Sequence, residues 1–586
     1  MAKKQRIEGA GTAEAANDND AAGIEARRRA AIAEARNAVD NILGANPVVG
    51  LTREELIDAA SRLLKLLSLN PVLVAKREAK FAAEVGRILL GRSRITPDPK
   101  DRRFQHRVWR ESGYYRRVMQ IYLAWARSLR DILDSIDADE TDMERARFML
   151  MQVIAAAAPT NTPVGNPGFL GNALSTRGLS IARGLRNLID DLVNNHGMPS
   201  QVDPRPFAVG KNLTNSPGAV VFRNAVCEVI QYAPRTERVD ATPILLVPPQ
   251  INKYYIVDLA EEKSFVRHAV SQGQQMFTIS WRNPTAAQRD WGMETYVSAA
   301  REALDAVREI TGADSVKLMA ACAGGFTAAV LAAHMYALGE GHKIACLTLL
   351  VTVLDTRAKT LLGLFANDAA IKAAIARSRS RGVLDGAQMQ RAFAWLRPDD
   401  LVWSFVANNY MMGNDPPAFD ILYWNNDTTR LPAQFHADIL NIFRQNPLVR
   451  PGGMKMLGTP IDLGRVDCDV FIIAGITDHI TPWEACYRST QLFGGDVRFV
   501  LSSSGHIQSI VNPPGNPKAK YFEHDDYSLS AGEWLERADV RDGSWWEAWI
   551  DWARGHSEGE REAPTALGSE AHPPGEPAPG RYVHQK

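Results

Sequence analysis

The sequence contains little cysteine, and the cysteines present are scattered along the chain. There are five in 586 residues, an odd number with no Cys-x-x-Cys pair: Cys227, Cys322, Cys346, Cys468 and Cys486. A disulfide framework requires paired cysteines, and a zinc site built from thiolates requires them at close spacing. The pattern argues against both, so we expect no metal centre and a protein that works in a reducing compartment.

Charge of one sign is not in excess either, because 67 Lys and Arg residues balance 67 Asp and Glu residues. Without a net positive field, neither nucleic acid nor an anionic membrane is an expected partner. The balance still leaves room for a small local patch that binds a phosphorylated substrate. The N-terminal MAKKQR is basic, but no apolar stretch follows it. No signal peptide is therefore predicted, and the expected location is the cytoplasm.

Uncharged stretches long enough to span a membrane are also scarce. The one candidate is LMAACAGGFTAAVLAAHMYAL, from Leu318 to Leu338. It is compatible with a transmembrane helix, with a buried helix that contains Cys322 incidentally, or with a strand, a sharp turn at Cys322 and a helix. Adjacent Gly324 and Gly325 would weaken a transmembrane helix, and His334 would be costly in a bilayer. The motif alone leaves the other two interpretations open.

The apolar pattern predicts distinct regions. Residues 1–40 are rich in Ala, Glu, Arg, Asn and Asp without aromatics, which predicts a disordered tail. Residues 41–205 have apolar residues at helical spacing, which predicts an all-α N-terminal domain. In residues 206–586 short apolar runs alternate with helical stretches, which predicts an α/β fold with a mostly parallel sheet. Residues 356–451 interrupt this alternation and should form an inserted cap, and residues 557–586 should form an extended tail.

The residues around Cys322 are typical of the nucleophile turn of α/β-hydrolases. There the pattern G-x-nucleophile-x-G lies between a strand and a helix, and small residues are required because the turn is tight. This chain has Ala320-Ala321-Cys322-Ala323-Gly324, preceded by the strand-like VKLMA and followed by the helical FTAAVLAAHMYAL. Ala320 stands where a glycine is usual.

An oxyanion hole is expected next to this turn. The backbone N–H of Ala323 should provide one donor. The second usually comes from the loop after an early strand, here VPPQI, whose prolines have no N–H. Gln250 or Ile251 is therefore the expected second donor.

An acid and a histidine follow Cys322 in the hydrolase order. Asp478 comes just after the strand-like VFIIAG, and His506 comes after RFVLSSSG. The carboxyl ends of parallel strands are where open α/β sheets build their sites. His479 is a competing histidine, but its adjacency to Asp478 would direct the two side chains apart, so at most it supports the site. We expect His506 to take the thiol proton, Cys322 to attack a carbonyl, and Asp478 to orient the imidazole.

A cysteine instead of serine at the turn indicates acyl transfer from a thioester. Exchange of an acyl group between two thiols is nearly balanced in free energy, and a Cys–His pair generates the thiolate without a strong base. Hydrolysis of the acyl-cysteine would have to be suppressed by excluding water, which is the expected task of the cap.

Several long strings resemble the poly(3-hydroxyalkanoate) synthases, most closely the class II, medium-chain-length type. They lie between Pro243 and Trp552: VPPQINKYYIVDL, ISWRNP, ACAGG, FDILYWNNDTTRLP, AGITDHITPWEACYRS and LSSSGHIQSIVNPPGNPKA. The resemblance implies that (R)-3-hydroxyacyl-CoA is polymerised with release of CoA, and that the growing polyester is held on Cys322. It implies the same triad, no cofactor beyond the CoA carried by the substrate, a homodimer, and residence on cytoplasmic polyester granules. Alternatives on the same fold are a thioesterase, a polyester depolymerase or a non-catalytic granule protein.

The sequence leaves two interpretations for Trp424 and for a set of three tryptophans near the C-terminus. Trp424 lies in the string that resembles the family's YWNND motif, where it either serves the site or packs the cap. Trp545, Trp549 and Trp552 fall on one face of a predicted helix, GSWWEAWIDWARG. Packing against the core is the expected explanation for that face, and contact with a hydrophobic polymer is the alternative.

Overall fold

The computed structural model describes residues 61–586, except for residues 63, 66, 196, 358–367, 397 and 479. The predicted disordered tail 1–40 lies outside the described residues. So do the first part of the predicted helical domain, part of the predicted cap, and His479.

The N-terminal part is helical and has an apolar core of its own. Its helices are α1 (Pro71–Leu89), α2 (Val108–Glu111), α3 (Gly113–Asp134), α4 (Glu140–Ala156), α5 (Pro167–Ser175) and α6 (Leu179–Asn194). Trp109, Ile132 and Leu133 are among the side chains buried at the centre of this core. The last of these helices ends before the first strand of the sheet begins.

The rest of the chain is organised around a ten-stranded sheet in the order β1-β2-β5-β4-β6-β7-β12-β13-β14-β15. Its strands are β1 (Gly218–Arg223), β2 (Cys227–Tyr232), β4 (Ile244–Val247), β5 (Met276–Trp281), β6 (Val316–Ala321), β7 (Ile344–Leu350), β12 (Val470–Gly475), β13 (Val497–Ser502), β14 (Lys520–Glu523) and β15 (Asp539–Asp542). The block from β5 to β13 is parallel, and antiparallel strands flank it on both sides. This confirms the predicted α/β-hydrolase-type sheet.

Apolar cores lie on both faces of this sheet. In β4, Leu245 and Val247 belong to one buried cluster, whereas Ile244 and Leu246 belong to another. A strand covered on both faces reads as a continuous apolar run, because every side chain is buried regardless of the side to which it points. That is why ILLV, MFTISW and VFIIAG could be recognised as strands.

Helices cover the sheet and form the insertion between β7 and β12. They are α7 (Phe265–Ser271), α8 (Met293–Thr311), α9 (Ala323–Ala337), α10 (Asp368–Arg381), α11 (Gly386–Leu396), α12 (Asp420–Asn426), α13 (Ala433–Gln445), α14 (Trp483–Arg488), α15 (His506–Ile510), α16 (Ala531–Arg537) and α17 (Trp545–Gly555). The insertion contains α10 to α13 and wide π-helical turns at Asp399–Trp403 and Val406–Met411. The remaining short strands, β3 (Arg238–Asp240), β8 (Val383–Leu384), β9 (Leu431–Pro432), β10 (Lys455–Met456), β11 (Thr459–Pro460) and β16 (Glu560–Glu562), form separate two-stranded pairs.

The uncharged segment from Leu318 to Leu338 is the end of β6, a turn and α9, so the membrane interpretation is wrong. In the part of the chain that the structure describes, no helix combines the length and apolar character needed to cross a bilayer.

The tryptophans of α17 pack against the domain. Trp545 and Trp549 are buried, and their indole N–H groups donate to the carbonyl oxygen of Ser509 at 2.7 Å and to Thr348 Oγ1 at 3.0 Å. The packing explanation is therefore confirmed for these two residues, and polymer contact through Trp549 is wrong. Trp552 is only half-buried.

Replacing Trp549 with alanine should lower the free energy of unfolding by about 3–5 kcal/mol, because it opens a large cavity beneath the sheet. Chemical denaturation measures this change. The half-buried Trp552→Ala is the matched control and should cost clearly less. A Trp549→Ala variant with unchanged stability would contradict the packing explanation.

Candidate active site

Cys322 lies at a strained turn between β6 and α9. Its φ is 50° and its ψ is −122°, a conformation that residues with a side chain rarely adopt and that persists only when the surroundings enforce it. The Cys322 N–H donates to the carbonyl oxygen of Leu350 at 2.9 Å, and the Cys322 carbonyl oxygen accepts from the Gly325 N–H at 2.9 Å. The strand–turn–helix interpretation of this segment is therefore right.

The glycines after Cys322 are required by close backbone contact. A Cβ atom on Gly324 would lie 2.4 Å from the carbonyl oxygen of Val247 and 2.6 Å from that of Pro248. A Cβ atom on Gly325 would lie 2.2 Å from Thr352 Oγ1. The end of β4 is thus pressed against the start of α9, which brings the loop after β4 next to Cys322.

Gly324→Ala should lower the free energy of unfolding by about 1–3 kcal/mol, since backbone atoms cannot move aside as a flexible side chain would. Chemical denaturation measures the change. Gly86→Ala in α1 is the control, because no described atom outside the backbone of that helix lies within 4 Å of its added Cβ, and it should raise stability by up to about 1 kcal/mol. Equal stability of Gly324→Ala and the parent protein would contradict the contact.

Cys322 differs from the other cysteines in its exposure. It is partly exposed, whereas the remaining cysteines are buried, and burial raises the pKa of each of their thiols: Cys227, Cys346, Cys468 and Cys486. A buried thiol with a raised pKa is a poor nucleophile at neutral pH. Of the five cysteines, Cys322 is thus the one that a reactant from solution can reach.

Asp478 and His506 meet at the carboxyl ends of β12 and β13. His506 is the first residue of α15, and its Nδ1 lies 2.7 Å from Asp478 Oδ2. The other carboxylate oxygen, Oδ1, accepts the N–H groups of Ile480 at 2.8 Å and Thr481 at 2.9 Å. These bonds fix the carboxylate plane, so that Oδ2 points at the imidazole.

Thr481 is a site residue that the sequence did not reveal. Its Oγ1 donates to Asp478 Oδ2 at 2.6 Å and lies 3.1 Å from His506 Nδ1. The signal available was the spacing Asp478-x-x-Thr481 after a strand, in which an aspartate accepts the N–H three residues on. That spacing is common in turns, and only the position of His506 gives it a role here.

The imidazole of His506 bridges Asp478 and Cys322. Its Nδ1 lies 2.7 Å from Asp478 Oδ2, and the imidazole also interacts with the side chain of Cys322. Burial alone would lower the pKa of His506. The negative charges of Asp478 and the Cys322 sulfur more than offset burial and raise this pKa to about 10. The charges beside the imidazole thus favour its protonated form.

The predicted oxyanion donors border the same turn. The N–H of Ala323 is at the first position of α9, where helix N–H groups have no partner within the helix. The loop after β4 is held by Thr429, whose Oγ1 donates to the carbonyl oxygens of Gln250 at 2.8 Å and Ile251 at 2.6 Å. Gln250 is buried, and its Nε2 donates to Thr327 Oγ1 at 2.9 Å, so it is fixed against α9.

Trp424 holds the continuation of this loop. It lies on α12 of the insertion, is buried, and donates its indole N–H to the carbonyl oxygen of Lys253 at 2.7 Å. The Lys253 ammonium is buried as well, 2.8 Å from Asp427 Oδ1 and 2.6 Å from the carbonyl oxygen of Val583. The tail predicted as extended is thus bound at its far end, where Val583 is buried. Insertion, tail and loop meet at one buried ion pair.

Comparison with known proteins identifies the family to which the chain belongs. Residues 100–269 match the family model described as the N-terminus of poly-beta-hydroxybutyrate polymerase (PhaC), and residues 243–513 match the alpha/beta hydrolase fold. Poly(3-hydroxyalkanoate) polymerase 1 of Ectopseudomonas oleovorans is 50% identical, with 94% of this chain and 98% of the relative covered. The chain belongs to the poly(3-hydroxyalkanoate) polymerase family.

Two further relatives are also poly(3-hydroxyalkanoate) polymerases. Poly(3-hydroxyalkanoate) polymerase 2 of Ectopseudomonas oleovorans is 46% identical, with 92% of this chain and 96% of the relative covered. The poly(3-hydroxyalkanoate) polymerase subunit PhaC of Cupriavidus necator is 38% identical, with 85% of each chain covered. The resemblance inferred from the sequence is confirmed, and so is the assignment of the chain as an acyltransferase enzyme.

Proposed function

We propose that this protein polymerises (R)-3-hydroxyacyl-CoA through a covalent acyl intermediate on Cys322, with release of CoA. The observation that carries the proposal is that Asp478 lies 2.7 Å from His506 Nδ1 and that the His506 imidazole interacts with Cys322 at the end of the central strand. Membership of the polymerase family supports the substrate class, and the geometry supports the roles of the residues.

The first half of the reaction loads the cysteine. His506 takes the proton of the Cys322 thiol, and the thiolate attacks the carbonyl carbon of the CoA thioester. The charge that develops on the carbonyl oxygen is stabilised by the N–H of Ala323 and by a second N–H from the loop that contains Ile251. The intermediate then collapses, the bond to the CoA sulfur breaks, and His506 returns the proton to the leaving CoA thiolate.

The second half forms the ester bond. The 3-hydroxyl group of another acyl chain loses its proton to His506, and its oxygen attacks the carbonyl carbon of the acyl-cysteine. The carbon–sulfur bond to Cys322 breaks as the new carbon–oxygen bond forms, and the proton passes from His506 to the cysteine sulfur. Asp478 keeps the imidazole in the orientation that serves both halves.

The inserted helices are proposed to keep water from the acyl-cysteine. Phe419, Ile421 and Trp424 of the insertion belong to the same buried apolar cluster against which Cys322 packs. An apolar wall near the thioester disfavours a water nucleophile relative to the hydroxyl of a bound acyl chain. Assembly as a homodimer and residence on cytoplasmic polyester granules complete the proposal.

The deciding assay uses purified protein and a 3-hydroxyacyl-CoA, and follows CoA release and polymer formation together. Equal amounts of released CoA and polymerised monomer are the expected result. CoA release with free hydroxy acid as the product would instead identify a thioesterase, and no turnover would identify a non-catalytic granule protein.

Thr481→Val should lower kcat by roughly tenfold with little change in KM. The hydroxyl positions the Asp478 carboxylate, and a misplaced general base costs rate without removing substrate contacts. Thr481→Ser keeps the hydroxyl and should restore most of the activity, which a purely packing role for the side chain would not predict. Initial rates of CoA release over a range of substrate concentrations provide both constants. Equal losses in the valine and serine variants would contradict the positioning role.

A further inference from the structure

The helical N-terminal part contains a basic cavity whose lining includes none of Cys322, Asp478 and His506. It has a volume of about 690 Å³ and is lined by α1, the segment after it, and α3, with every lining residue between Arg77 and Asp131. This volume lies in the range of small-molecule sites, about 300–1,000 Å³. Because all of its lining residues lie between Arg77 and Asp131, the cavity belongs to the helical N-terminal part and not to the sheet that carries Cys322.

Positive charge dominates its wall. Its cationic lining residues are Arg77, Lys80, Arg87, Arg92, Arg94 and Arg127, whereas its only acidic ones are Glu84 and Asp131. Both carboxylates are already engaged, Asp131 with Arg77 at 3.2 Å and Glu84 with Arg87 at 3.2 Å. Within the described part of the chain, Lys80, Arg92, Arg94 and Arg127 form no salt bridge. For a protein with no net charge, this is a marked local excess of positive charge.

A buried hydroxyl faces the same cavity. Ser128 of α3 lines it and is 7% exposed, and its Oγ has no hydrogen-bond partner among the described residues. A buried polar atom without a partner costs free energy, and such atoms in native proteins call for a ligand, a water molecule or an ion. This observation is independent of the charge and points to a ligand with hydrogen-bonding oxygens.

We propose that this cavity binds a small molecule that carries a diphosphate group. Arginine is suited to phosphate because its planar guanidinium donates two parallel hydrogen bonds. One phosphate group carries up to about two negative charges at neutral pH, so the four cations that form no salt bridge with a described residue match two phosphates better than one. The half-exposed ring of Phe81 at the wall leaves an apolar surface for an organic portion. A nucleotide and a phosphorylated lipid headgroup share this chemistry.

The test is isothermal titration of the full-length protein with pyrophosphate at low ionic strength. Saturable binding of one pyrophosphate at this cavity is expected, and it should weaken as salt is added. Combined replacement Arg92→Gln, Arg94→Gln and Arg127→Gln should raise Kd by about tenfold or more. Arg116→Gln is the matched control, since Arg116 is exposed on α3, the helix that also carries Arg127, and does not line the cavity. Its Kd should equal that of the parent protein.

Ser128→Ala separates ligand binding from folding. The hydroxyl has no partner among the described residues, so its removal should leave the thermal midpoint unchanged while raising Kd for pyrophosphate by about fivefold. Adenosine diphosphate that binds more tightly than pyrophosphate would assign a nucleotide to the cavity. Binding of phosphatidylglycerol vesicles that pyrophosphate displaces would assign a lipid headgroup. Pyrophosphate binding that does not saturate, or that the triple variant leaves unchanged, would overturn the proposal.

Discussion

Cys322→Ala should lower the rate of polymer formation by about 10⁴-fold or more, because it removes the atom to which the acyl group is bound. Alanine fits without strain greater than that already present, since it is smaller than cysteine at the same backbone angles. The turn, the sheet and the pair of His506 with Asp478 should therefore remain folded. The loss of activity should therefore reflect the missing nucleophile and not unfolding of the protein.

Rates of CoA release and polymer yield, measured together with a thermal unfolding curve, test this expectation. Cys468→Ala is a suitable control because Cys468 is buried and burial raises the pKa of its thiol. That variant should lose some stability and keep its activity. A Cys322→Ala protein that polymerises at more than a hundredth of the parent rate would contradict the assignment.

Asp478→Asn should lower kcat by about 10³- to 10⁴-fold with the fold intact. The amide oxygen can keep the bonds that Ile480 and Thr481 donate to Oδ1. The amide NH₂ would then replace Oδ2, where it faces His506 Nδ1 as a second donor. The imidazole is forced into the wrong tautomer or turned away, and the negative charge that raises its pKa is lost.

Alkylation of Cys322 by iodoacetamide reports this change without turnover. The other cysteines are buried, so native protein should react mainly at Cys322. At neutral pH, iodoacetamide should alkylate Cys322 more slowly in Asp478→Asn than in the parent protein, because the imidazole that takes the thiol proton loses the carboxylate that orients it. Asp525→Asn, at an exposed position, is the control. Equal rates of Cys322 alkylation in the parent protein and in Asp478→Asn would contradict the proposed action of His506 on Cys322.

The central sheet was predictable because its strands are covered on both faces. ILLV, MFTISW and VKLMA have no polar face to interrupt the run, so their apolar character is continuous, and β4, β5 and β6 lie at those strings. The outer strands were not predicted. β15 is exposed along its whole length and carries two aspartates and an arginine, which is a common way to protect a sheet edge. Nothing in such a sequence distinguishes it from a loop.

The order Cys322, Asp478, His506 was also predictable, since each residue follows a recognisable strand. Thr481 was not, because its role depends on where His506 lies in space. The ion pair of Lys253 and Asp427 was likewise hidden, since the two residues are 174 positions apart. The predicted second oxyanion donor, Ile251, lies in a loop whose position depends on hydrogen bonds from Trp424 and Thr429 of the insertion. Long-range packing of this kind has no local signal.

Mass spectrometry of the protein after a single turnover with a 3-hydroxyacyl-CoA tests whether Cys322 carries the acyl group. The peptide that contains Cys322 should gain the mass of one or more 3-hydroxyacyl units, whereas Cys322→Ala should gain none, which is the result expected of a covalent role for Cys322. Polymer formed without acylation of Cys322, or with the acyl group on another residue, would contradict it.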